Sequence, residues 1–207
     1  MWFIQAVWYE DASSSELNAE KLARWLHEFA QVERSAEPWC TATSPTDRHP
    51  VLDWKEMIDG ARTPSGGPGA FSVWAPLGYE DGYKLTFHCG ITSPKFPNQL
   101  MLQIPETRYG SMLDVTVTER LLASAVALWN VRFAKVSDSA LARAVPRRSG
   151  FAPGWITLLP QGSPHIREMD DLGWRSKAIG GVGRLYVAAD TYEEAGSTIV
   201  SGWSAVA

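Results

Sequence analysis

Tyr83-Lys84-Leu85-Thr86-Phe87-His88-Cys89 and Gln99-Leu100-Met101-Leu102-Gln103-Ile104 decide the fold. Leu85 and Phe87 alternate with Thr86 and His88, and Leu100, Leu102 and Ile104 alternate with Met101 and Gln103. Successive side chains of a strand point to opposite faces, so each stretch predicts a strand with one apolar face. Residues 70–74 predict a third strand just upstream. The Asp81-Gly82 pair in Tyr79-Glu80-Asp81-Gly82 predicts a tight hairpin between the first two of the three. Clustered strands do not fit regular βα alternation. The expected class is α+β, a largely antiparallel sheet with helices packed on one face.

Outward from this centre, the aromatic and aliphatic run Met1 to Trp8 predicts an N-terminal strand. Ser13 followed by Glu16 fits a capping box, opening a helix over about 15–33 with Leu22, Trp25, Leu26, Phe29 and Val32 on one face. A short strand is expected near Trp39 and Cys40. Pro50 sits where a helix can begin, with Val51, Trp54, Met57 and Ile58 as its stripe and Gly60 as its stop. Thr63-Pro64-Ser65-Gly66-Gly67-Pro68-Gly69 predicts a loop and not a linker, because the flanking pieces are too small for separate cores. Residues 1–207 are therefore expected to form a single domain. Thr116 with Glu119 predicts a second capping box and an apolar core helix running to Trp129. Beyond it come a strand over 133–136, a short helix over 137–145 and strands over 155–159 and 184–189. A last helix follows Thr191.

The 207 residues carry 19 Lys+Arg against 23 Asp+Glu, a net charge of −4. That balance disfavours direct nucleic-acid binding, which rests on neutralising phosphates, and suits a basic protein partner instead. No stretch is long and apolar enough to span a membrane. Met1-Trp2-Phe3-Ile4-Gln5 lacks a basic start, so no signal peptide is expected. Two cysteines, Cys40 and Cys89, form no disulfide framework and read as free cytosolic thiols. The chain holds 10 Trp, which serve either a large core or a contact surface, including a homodimer face.

The candidate chemical motifs are sparse. His88-Cys89 places a base beside a nucleophile, but neighbours in a strand face opposite ways and a buried structural Cys is expected. His165-Ile166-Arg167-Glu168 with Asp170-Asp171 could offer metal ligands, yet has no second His nearby and reads as a solvated acidic loop. Gly180-Gly181-Val182-Gly183 precedes a strand instead of opening a helix, so it predicts a turn and not a dinucleotide cradle. Arg143, Arg147 and Arg148 are too few for a nucleic-acid stripe. No catalytic residue, cofactor or metal site is assigned. The alternative is a small-molecule hydrolase or transferase using Cys89, His88 or Asp114 in a pocket.

The order of several motifs resembles the immunity protein 52 family of bacterial polymorphic-toxin systems. The resemblance runs through Trp8-Tyr9-Glu10, the long helix with Pro38-Trp39, Phe71-Ser72-Val73-Trp74, and His88-Cys89-Gly90. It continues through Asn98 with Leu100 to Pro105, Leu128-Trp129, Gly154-Trp155-Ile156-Thr157 and Gly183-Arg184-Leu185-Tyr186-Val187. It implies a cytoplasmic antidote, not an enzyme, encoded beside a secreted toxin and protecting the producer and its kin. The implied partner is a nuclease domain of restriction-endonuclease-like fold, delivered by contact-dependent or type VI secretion. No family motif assigns the contact residues. Expected exposure alone selects Glu10, Asp11, Trp39, Tyr79, Glu80 and Asp81, where aromatics stand beside carboxylates or at strand ends.

Overall fold

The computed structural model describes residues 1–9, 11–34, 38–44, 47–62, 69–75 and 82–205. The strands are β1 (Trp2–Trp8), β2 (Cys40–Ser44), β3 (Asp47–Pro50), β4 (Gly69–Trp74), β5 (Lys84–Cys89), β6 (Asn98–Gln103), β7 (Val131–Asp138), β8 (Ile156–Pro160), β9 (Arg175–Ile179) and β10 (Gly183–Val187). The helices are α1 (Ser15–Val32), α2 (Trp54–Ala61), α3 (Tyr109–Met112), α4 (Val115–Leu128), α5 (Ser139–Ala144), α6 (Ile166–Asp171) and α7 (Tyr192–Ala205). All the strands join one antiparallel sheet in the order β3-β2-β4-β5-β6-β1-β7-β8-β10-β9. The α+β class and the antiparallel sheet are as the sequence predicts.

One face carries α4 against β1, β7 and β8, with α1 on α4 and α2 between α1 and β4. The layer is sealed by aromatic rings. Trp8 stacks on Trp129 at 5.2 Å and tilts against Phe87 at 6.0 Å, while Phe29 meets Tyr83 edge-on at 5.1 Å. The structure adds a second, smaller helical group on the opposite face, over β7, β8 and β10. There Phe133 meets Phe151 at 5.3 Å, Phe151 meets Trp203 of α7 at 5.7 Å, and the Tyr186 hydroxyl donates to Asp170 of α6 at 2.8 Å. β1, β7 and β8 are accordingly buried on both faces, whereas β5 and β6 alternate buried and half-exposed positions. Of the 10 Trp, seven are buried, so tryptophan here serves mainly the core.

Local differences from the sequence reading have simple causes. Helix α1 is capped by Ser14, not Ser13, since its hydroxyl accepts from Leu17 N at 3.1 Å. Asp114 caps α4 by accepting from Thr116 and Val117, displacing Thr116 from the cap. Helix α2 starts at Trp54 behind an Asp53 cap, because Pro50 is spent pairing β3 with β2. His165 to Asp171 is not a solvated loop: His165 is buried, stacked on Phe151 at 4.5 Å, and α6 follows it. The glycine run does form the β9–β10 turn, with Gly181 at φ +69. Gly183 is also forced, because a Cβ there would collide with the Leu159 carbonyl. The expected loop over 63–69 lies, but for Gly69, outside the described residues, as does most of the 79–82 hairpin.

Two buried ionisable groups tie surface segments to this frame. Asp11 joins the β1–α1 connection to the β5–β6 connection. Its backbone N–H donates to Ile91 O at 3.0 Å, and its carboxylate accepts from Ser13 N at 2.9 Å and from the Asn18 amide at 2.9 Å. Burial alone would raise its pKa, but hydrogen bonds led by those of Ser13 outweigh it and hold the carboxyl below its ordinary value. Lys135 lies on the covered face of β7, and its ammonium donates to Ala152 O at 2.8 Å. Burial, with a smaller contribution from the Arg147 charge, pushes its pKa down to about 8.

Asp11→Ala is expected to lower unfolding stability at pH 7 by about 2–3 kcal/mol, because buried donors lose their acceptor. The folded carboxyl stays charged to lower pH than the unfolded one. The deficit should therefore narrow as the medium falls below pH 3.8, checked by urea unfolding at neutral and acid pH. Lys135 behaves oppositely. The unfolded chain holds this proton up to pH 10.5 and the folded chain only to about 8, so stability rises with pH across that window. Measured against Lys135→Met, the natural chain should gain on the order of 3 kcal/mol over that window. Parallel pH profiles of the two proteins would contradict the assignment.

Candidate protein-binding surface

The residues selected by expected exposure divide sharply. Glu10, Tyr79, Glu80 and Asp81 lie outside the described residues. Asp11 and Trp39 are buried, contrary to the exposure that selected them. Asp11 is drawn in by the donors around its carboxylate. Trp39 packs on Phe29 at 6.1 Å, and its carbonyl accepts from Val51 N at 2.8 Å. Both serve the junction between connections and core.

The nucleophile–base pair does not assemble. β5 turns Cys89 into the core and His88 to the opposite, half-exposed face. Burial, reinforced by the Asp11 charge, pushes the Cys89 thiol up to about 12, so it carries almost no thiolate at neutral pH. Burial lowers the His88 imidazole. Asp114 is committed to the α4 cap. His165 Nδ1 does meet Glu168 Oε2 at 3.0 Å, as helical spacing allows. Among the described residues, no group of three or more His, Cys, Asp or Glu could hold a metal ion. Arg148 is a structural cation, lying 4.5 Å from the Trp203 ring centre and donating to the Trp203 carbonyl. Among the described residues no helix is long and apolar enough to cross a membrane.

The surface feature that stands out is at the start of α2. Leu52 is 94% exposed, the largest exposure of any large apolar side chain among the described residues. It is not held there loosely. On one side Val51 N is bonded to Trp39 O at 2.8 Å; on the other the Asp53 carboxylate accepts from Lys55 N at 2.7 Å and Glu56 N at 3.2 Å. Beside Leu52 runs a groove of about 550 Å³ whose apolar lining includes Val51, Met57, Ala61 and Phe71. Two carboxylates stand on its α2 side. Asp53 and Glu56 line the groove, while Lys55 is paired with Asp59 on α2. The Lys55–Asp59 hydrogen bond of 2.6 Å, with the charges of Asp59, Asp53 and Glu16, holds the Lys55 pKa above its ordinary value. Leu17, at the start of α1, is also exposed.

Sequence reasoning missed Leu52, Asp53 and Glu56 because it began the helix at Pro50 and so enclosed them in its first turn. A signal was present. Leu52 falls off the Val51-Trp54-Met57-Ile58 stripe, and Asp53 with Glu56 fits a capping box as well as the Ser13 pair does.

Comparison with known proteins gives a fold and no family. No protein-family model matches the chain, so the resemblance to immunity protein 52 rests on its motifs. No curated protein matches it by sequence. Among solved structures it is similar to the Pseudomonas aeruginosa T6SS protein PA0821, at 11% identity and a TM-score of 0.58. The likeness covers 99% of this chain and 76% of that one. Helices on a broad antiparallel sheet are thus an architecture that this chain shares with a protein of a type VI secretion system.

Proposed function

We propose that the chain is an immunity protein. It binds a secreted toxin, a nuclease of restriction-endonuclease-like fold, in the cytoplasm of the producing cell, and it acts by occupancy, not by turnover. The observation that carries this reading is the α2 edge, where an exposed leucine and an apolar groove sit among carboxylates on a chain of net charge −4. Protein interfaces concentrate affinity in a few desolvated apolar anchors, and opposite charge accelerates encounter. A nuclease offers the complementary surface, because its substrate groove is lined with cations. The fold likeness to a T6SS protein and the motif order resembling immunity protein 52 both support the same class.

The purified chain should suppress the nuclease activity of the toxin encoded in the adjoining reading frame at a one-to-one ratio. A chain that leaves that toxin active and does not bind it contradicts the reading. The double variant Glu16→Lys/Glu56→Lys should slow association about tenfold at low ionic strength, with the difference closing as salt shortens the reach of exposed charges. Stopped-flow association at two salt concentrations reads this directly. Cys89→Ala should protect cells as well as the natural chain does. Loss of protection by a folded Cys89→Ala protein would instead favour thiol chemistry.

A further inference from the structure

We infer that the mouth of α2 is the anchor point for the toxin: Leu52 and the groove beside it receive an aliphatic or aromatic side chain from a cationic segment of that partner. This rests on the toxin-binding reading above and adds which surface and which chemistry. Three features on the same edge support it. An apolar side chain 94% exposed gains nothing from the fold, yet its backbone is fixed by the Trp39–Val51 bond before it and the Asp53 cap after it. An anchor fixed before binding loses little conformational entropy on association. The adjoining groove of about 550 Å³ is large enough for a bulky side chain and is lined in part by Met57 and Phe71, the latter stacked on Trp54 at 6.3 Å. The rim is acidic, with Asp53 and Glu56 on the groove itself.

The rim also decides between occupants. A second copy of this chain docking by a two-fold axis would bring the patch against itself, setting Glu56 and Asp53 against their own counterparts. Like charges brought together on desolvation oppose that pairing, whereas Lys or Arg from a basic partner completes it. The division of labour follows: the carboxylates speed encounter, and Leu52 slows release.

The test uses the full chain and immobilised toxin from the adjoining reading frame. Leu52→Asp should dissociate about ten- to a hundredfold faster, with an association rate within about threefold of the natural chain. Glu56→Lys should show the reverse pattern, strongest at low salt. Unchanged dissociation of Leu52→Asp from a toxin that binds the natural chain overturns this inference and leaves the toxin reading standing. A toxin that ignores the natural chain overturns the toxin reading. The surface is then judged alone, by amide chemical shifts on titration with the peptide acetyl-Lys-Leu-Lys-Leu-Lys-amide. Shifts centred on Val51 to Met57 that vanish in Leu52→Asp, and with the Gln-for-Lys peptide, support it, whereas shifts elsewhere or none overturn it. Sedimentation that finds a dimer in the natural chain and a monomer in Leu52→Asp also overturns it, because a second copy would then be the occupant.

Discussion

β1 is buried on both of its faces, and that condition constrains every other element. Ile4, Ala6 and Trp8 enter one layer, while Phe3 and Val7 enter the other. A strand apolar on both sides must be flanked and covered on both sides. β6 and β7 pair along nearly its whole length, α4 closes one face, and the chain that follows β7 returns to close the other. The N-terminal strand therefore lies at the middle of the sheet, although its partners come from residues nearly 100 and 130 positions away. The contacts that fix the centre are long-range, so the sheet can be completed only after most of the chain is available.

Coverage falls away from that centre unequally. Toward β10 the second face is closed by α6, α7 and the aromatic run Phe133, Phe151, Trp203. Toward β4 it is not, and Ser72, Thr86, His88, Gln99 and Met101 are half-exposed there. Short polar bonds knit this face, including Ser72 to Thr86 at 3.0 Å and Gln5 to Gln99 at 2.9 Å. The candidate interface stands at the same lightly covered end, on the helical side. The fully covered centre and the candidate surface thus lie at different parts of one molecule.

How much of this was legible in the sequence follows from what kind of signal each element carries. Alternation in 83–89 and 99–104 named β5, β6 and the antiparallel class, because half-covered strands write their exposure directly into the chain. The glycines before β10 named their turn through backbone freedom, with Gly181 in the left-handed region at φ +69. β3 and β9 escaped notice. Each is an edge strand, and β9 is exposed at four of its five positions, so its residues show no apolar period. Of the second helical group, α5 and α7 were legible and α6 was hidden, because its six residues are too short to display an apolar period. The site was least legible. Aromatics beside acids looked like contact residues, yet Asp11 and Trp39 answer to buried hydrogen bonds and ring packing that no local pattern announces. Leu52 stands exposed because its backbone is pinned on both sides, a condition visible only once Trp39 and Val51 are seen together.

The uneven covering of the sheet also sets an uneven tolerance to substitution. Where both faces are buried, a substitution must satisfy volume, polarity and strand register at once, and few do. Over β4, β5 and β6 the outward positions answer to fewer demands: strand propensity, solubility and the short polar bonds between neighbours.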